Sequence, residues 1–318
     1  MHKCYPVIVI LIFILSCIAS NGQTPGSAKK FFEHGKKDFA EGNLQAAVED
    51  YSRAIEISSR LDSPRSERVG LSNSGREFNS LDASDQVTVI DPFTASAYVA
   101  RGIARYRLRF FDDAVSDFNA AIRIRPGLAE AYLGRGVTYR IKGEFDLARS
   151  DFDRAISLSP KLTEAYIDRA DVLIEKHELE GATRDVEHVI KLNSSSAQAY
   201  SLLGTIQIFN MELDHAIQSF DRALQLNPQL ASAYHGRGTA RMKLGQIEAA
   251  IEDFSQALKL DQELPVTYMN RGLALLLEGK ESEAQNDFQK CLALCPTLKA
   301  DLNKRIELAK KVRPAPDK

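Results

Sequence analysis

Six tyrosines, Tyr98, Tyr132, Tyr166, Tyr200, Tyr234 and Tyr268, stand 34 residues apart without a slip. Four residues after each comes a small one: Gly102, Gly136, Ala170, Gly204, Gly238 and Gly272. Ala114, Ala148, Ala182, Ala216, Ala250 and Ala284 keep the same period. So do Phe118, Phe152, Val186, Phe220, Phe254 and Phe288, and then Ala121, Ala155, Val189, Ala223, Ala257 and Cys291. Pro126, Pro160, Pro228 and Pro296 close four of the units, and an earlier copy survives in Phe31, Gly35, Ala47, Tyr51 and Ala54. Within each unit the apolar residues fall at helical spacing, which predicts two short amphipathic helices. The small residues let two helix axes come close, and the rings fill the wider gaps. Gly42, Gly143, Gly245 and Gly279 fall between the helices, where a positive φ reverses the chain. A proline then stops the second helix. No such hairpin can bury its apolar face alone; neighbours stacked in a row complete the core.

This order of slots resembles the tetratricopeptide repeat family over about 28–60 and 95–296. The resemblance implies an all-α, right-handed alpha-alpha superhelix, a solenoid of about seven helix-turn-helix repeats. Their boundaries are 28–60, 95–128, 129–162, 163–196, 197–230, 231–264 and 265–297. Residues 61–94 read as a polar insertion, with six serines, Pro64, Gly70 and Gly75 falling in 61–92. After the last unit, 298–312 reads as an amphipathic capping helix with Leu298, Leu302, Ile306 and Ala309 on its inner side. Residues 313–318, with two prolines, read as a frayed tail.

A second regularity runs through the repeats. Arg101, Arg135, Arg169, Arg237 and Arg271 each precede the small residue of the first helix. Asp117, Asp151, Asp185, Asp253 and Asp287 each precede the large slot of the second. The repeat with Leu203 in place of the arginine also has Ser219 in place of the aspartate. Loss of both within one repeat predicts that each arginine pairs with the aspartate of its own unit, giving a ladder of structural ion pairs.

The first residues differ from all that follow. Lys3 precedes an uninterrupted apolar run, Val7 to Leu15. That is short for a membrane span, which takes roughly 20 residues, and fits a signal-peptide core of roughly 7–15; residues 1–22 read as a leader. Ile14-Leu15-Ser16-Cys17 resembles the lipobox of bacterial lipoproteins, which implies a lipid on Cys17 and a membrane anchor. Ser20 and Gly22 offer a plain cleavage instead, freeing a chain that starts at Gln23. Either route implies export, to the cell envelope (periplasm or outer membrane, lipid-anchored) or as a secreted form. A eukaryotic secretory-pathway adaptor is the remaining alternative, with Asn193-Ser194-Ser195 as a glycosylation acceptor.

The charge balance, 41 Lys and Arg against 43 Asp and Glu, gives a net −2 and no basic excess for a phosphate backbone. No nucleic acid partner is expected. Cys291 and Cys295 lie four apart on one predicted helix, and Cys291 occupies an alanine slot, so core filling is expected of them. No nucleophile–His–acid arrangement, metal-ligand cluster or cofactor motif is found, which predicts a protein that is not an enzyme. Some tetratricopeptide proteins clamp a C-terminal carboxylate with cationic inner-face residues. The corresponding slots here, Val99, Ile103, Leu133, Val137, Ile167 and Asp171, form no such clamp. Towards the C-terminus the inner face reads Ile208, Phe209, His235, Met242, Met269, Leu273 and Leu276, an apolar stripe suited to a peptide or helix. The expected function is an exported scaffold for protein–protein interaction, an extracytoplasmic adaptor with a protein or peptide partner. The alternative is a structural assembly factor of a secretion, pilus or cell-wall complex.

Overall fold

The computed structural model describes residues 26–61 and 92–312. Cys17 with the rest of the leader, nearly all of the insertion and the tail lie outside them. The described residues form fifteen α-helices and no strand. They divide into two units at Leu162. The first holds α1 (Gly26–Glu41), α2 (Leu44–Leu61), α3 (Pro92–Arg107), α4 (Phe111–Ile124), α5 (Ala129–Lys142) and α6 (Phe145–Leu158). The second holds α7 (Thr163–Glu175), α8 (Leu179–Leu192), α9 (Ala197–Phe209), α10 (Leu213–Leu226), α11 (Ala231–Lys243) and α12 (Ile247–Leu260). It continues with α13 (Pro265–Leu277), α14 (Glu281–Leu294) and α15 (Lys299–Val312). Within each unit every odd helix as far as α13 packs on the even helix after it, and every even helix as far as α12 packs on the next odd one, while α15 packs on α13.

Each hairpin turns on the same backbone device. The residue after the turn donates to a carbonyl five back: Phe110 to Arg105, Glu144 to Tyr139, Glu178 to Leu173, Glu212 to Gln207, Gln246 to Arg241 and Lys280 to Leu275, at 2.8–2.9 Å. This closure needs one residue with a left-handed backbone. Gly42, Gly143, Gly245 and Gly279 supply it, as their position between the helices predicts. In the other three turns Arg109, His177 and Met211 hold φ of 66°, 59° and 63°. Side-chain-bearing residues pay a steric cost there, offset by the two carbonyls that the closed turn satisfies.

The core follows from the small-residue slots. Phe118, Phe152, Phe220 and Phe254 are fully buried. A methyl group added at Gly102 would fall 3.0 Å from the Phe118 ring, and one added at Gly134, on the next hairpin, 2.5 Å from it. Phe220 is gripped in the same way, by Gly204 of its own hairpin at 2.8 Å and Gly236 of the next at 2.3 Å. Phe118 and Phe220 therefore each fix their own hairpin and the spacing to the neighbour.

At the N-terminal boundary, α3 opens at Pro92, ahead of the repeat start expected at 95. Proline has the φ of a first helical turn and no N–H to lose there. At the other end a short 3-10 turn, Pro296–Leu298, leads into α15, whose Leu302 is buried. Leu302 stands 34 residues after Tyr268, so the cap enters the array in the register of a further first helix. Cys291 and Cys295 are buried free thiols. Burial pushes the Cys291 thiol up to about 11, which keeps it protonated.

Candidate functional site

The structure brings every arginine of the ladder to the aspartate of its own hairpin. Arg135 donates from Nε and Nη2 to the two carboxylate oxygens of Asp151 at 2.8 and 2.6 Å. The same two-pronged contact joins Arg101 to Asp117 at 3.0 and 2.7 Å and Arg169 to Asp185 at 2.7 and 2.6 Å. It joins Arg237 to Asp253 at 3.0 and 2.6 Å and Arg271 to Asp287 at 2.8 and 2.7 Å. Planar guanidinium matched to planar carboxylate is the strong form of this contact. Each of these arginines also lies over the tyrosine three residues before it, with centroid distances of 5.3–5.8 Å.

The third prong was not legible from the pairing pattern. Nη1 of Arg101 donates to Ser52, that of Arg135 to Asn119, that of Arg237 to Asp221, and that of Arg271 to Ser255. Each acceptor lies on the second helix of the preceding hairpin. One side chain thus fastens its own hairpin and clips it to the one before. Two aspartates receive a further cation one turn along: Arg105 reaches Asp117 at 2.8 Å, and Arg241 reaches Asp253 at 2.9 Å. At the broken rung Leu203 offers no donor, and Ser219 donates to Gln207 at 2.7 Å.

The apolar stripe is corrected by the structure. Met269, Leu273 and Leu276 are buried in one cluster with Leu302, against which Ile306 and Ala309 also pack. The capping helix takes the place that a partner would need, because the inner side of α13 must be covered. Ile208 packs on the Phe220 cluster and is half-buried, as is Met242. Phe209 remains open, 46% exposed, with its ring set edge-on to His177 at 5.6 Å. Met211 in the turn beyond it is 64% exposed, and Leu244 occupies the following turn, also exposed. Leu192, Leu294 and Leu308 are exposed on α8, α14 and α15, while Phe209, Met211 and Leu244 form the open apolar groups at the hairpin turns of α9–α10 and α11–α12. Val99, Ile103, Leu133, Val137 and Ile167 are all buried, so these slots are core.

His235 is part of that packing. Its Nδ1 shares a 2.8 Å hydrogen bond with Thr267 Oγ1, and its ring lies 5.7 Å from that of Phe254. Desolvation lowers its pKa from 6.5 to about 4. The folded value lies below the unfolded one, so the unfolded chain takes up the proton first. This contribution to stability is complete above pH 6.5 and is lost as the pH falls towards about 4. The urea midpoint should fall between about pH 7 and about pH 5, and less steeply in His235→Asn.

Family models match much of this array. One described as "Tetratricopeptide repeat" covers residues 99–162, and another of that description covers 197–230 and 266–298. A model described as "TPR repeat" covers 238–279. The chain is a tetratricopeptide repeat (TPR) protein. Its fold class is the all-α TPR solenoid. It matches a TPR protein from Parabacteroides merdae with a TM-score of 0.65 and 16% identity, over 90% of this chain and 100% of that one. It matches a chain of the APC/C hetero-tetramer Cut9-Hcn1 with a TM-score of 0.63 and 19% identity, over 88% of this chain. The match spans 54% of that chain, about half its length. PilF of Pseudomonas aeruginosa gives a TM-score of 0.54 at 15% identity, over 67% of this chain and 97% of that one. At such identities the likeness is one of fold alone. No protein of curated function matches the sequence. The TPR fold is typically a non-enzymatic scaffold, and TPR proteins bind protein or peptide partners.

Proposed function

We propose that this TPR protein is an exported, non-enzymatic adaptor, tethered to a membrane through a lipid on Cys17, that gathers protein partners. The observation that carries the location is the order basic residue, apolar run, small residue, cysteine in Lys3, Val7 to Leu15, Ser16 and Cys17. Among the described residues no helix is long and apolar enough to cross a membrane; the anchor proposed is the lipid on Cys17. The partner is a protein segment with apolar side chains, since Phe209, Met211 and Leu244 are the large apolar groups left open along the turns of 163–312.

The test is the mass of the mature N-terminus together with membrane fractionation of the wild type and of Cys17→Ser. A diacylated or triacylated Cys17, with the substituted protein released from the membrane fraction, is the result expected. A free N-terminus at Gln23 would rule out the anchor and leave secretion. Retention of Met1 would rule out export altogether.

A further inference from the structure

Besides Leu203, the arginine slot has one other occupant that is not an arginine. His34 precedes Gly35 as Arg101 precedes Gly102, and Asp50 precedes Tyr51 as Asp117 precedes Phe118; 16 residues separate the partners in both pairs. The rung forms, with His34 Nδ1 hydrogen-bonded to Asp50 Oδ2. Its charge balance is inverted, however. Asp117 and Asp253 each receive two guanidinium groups. Here two carboxylates share one imidazole, because Asp38, one turn along α1, lies 3.4 Å from the same Nδ1. The Asp50 and Asp38 side chains are only 8% and 13% exposed. Nearby cations serve them poorly. Arg53 Nη1 is 3.9 Å from Asp50, and Lys37 beside His34 turns to Glu41.

We propose that His34, Asp38 and Asp50 bind a divalent transition-metal ion of the zinc class. One imidazole nitrogen and two carboxylate oxygens are a ligand set that zinc accepts, at about 2.0–2.2 Å each. The three ligand atoms already lie within 4.8 Å of one another. Two come from a single face of α1, four residues apart, and the third from α2. Two carboxylates match the double charge of the ion. The imidazole is 62% exposed, so water can complete the coordination from the solvent side. A bound ion would join α1 to α2 as the arginines join the later hairpins, and it would supply the positive charge that this rung lacks.

The test uses the full chain freed of metal by chelation and titrated with zinc chloride near neutral pH, read by calorimetry and by thermal unfolding. One ion per chain and a melting temperature raised by several degrees are expected. His34→Arg, which installs the residue of the other rungs, should weaken zinc binding on the order of 100-fold and melt no lower than the metal-free wild type. Asp38→Asn should also lose zinc and, unlike His34→Arg, gains no guanidinium to replace it. Both variants are checked for unchanged helical circular dichroism. If His34→Arg is misfolded, Asp38→Asn decides alone. Absence of binding, or binding that survives both substitutions and therefore resides elsewhere, such as at Cys291 and Cys295, would overturn the proposal.

Discussion

Replacing Arg135 by leucine should destabilise the chain by about 3 kcal/mol, and replacing Arg135 and Asp151 together by leucine should cost much less. The single change leaves a carboxylate that is 5% exposed with no guanidinium beside it. Burial pushes the Asp151 carboxyl up, and the hydrogen bonds from Arg135 pull it back. Desolvation thus opposes the attraction and is the larger influence on this carboxyl, and two apolar side chains of similar volume can fill the space. Urea unfolding of the wild type, both single variants and the double variant forms a cycle that isolates the coupling. A double variant as unstable as the sum of the singles would show that the pair acts as two separate packing residues. The loss in Arg135→Leu should also reach beyond its own hairpin, since the same guanidinium holds Asn119 on α4.

Phe220→Ala should cost about 3–5 kcal/mol. The ring is fully buried, and it meets two glycine backbones that cannot move in to fill the space without shifting α9 and α11. In a stacked array, stability is roughly the sum of repeat terms and nearest-neighbour interfaces. Losing this ring weakens one of the former and one of the latter together. Differential scanning calorimetry should show a lower and broader transition. A loss below about 1 kcal/mol would mean that the notch collapses easily.

Most of the fold is legible in the sequence because the repeat unit is short and its packing slots admit few residue types. The 34-residue interval fixes the hairpin, and the glycine, alanine and ring slots fix which faces meet. The ladder is legible for a subtler reason: Leu203 and Ser219 depart together, and the bonded pairs at 16-residue separation are the arrangement which that joint loss implies. Other features depend on context that spacing does not carry. The turn residues Arg109, His177 and Met211 hold backbone conformations usually given to glycine, because the closed turn imposes them. His34 occupies an arginine slot and is invisible to a search for arginines. The apolar stripe fails at Met269, Leu273 and Leu276 because a slot reports which way a residue faces and not whether something already stands there. Leu302 in the tyrosine register of a further unit was the available signal that α15 would cover them.

The empty arginine slot at Leu203 bears on how the chain comes apart. A guanidinium clip to the preceding hairpin is missing where α8 meets α9, and Ser219 keeps only a neutral bond within its own hairpin. Cooperative opening in such an array runs until it reaches a loosely tied joint. Partial unfolding within residues 163–312 would therefore pause at this seam, and a protease that samples transient openings would find its first cuts on either side of it.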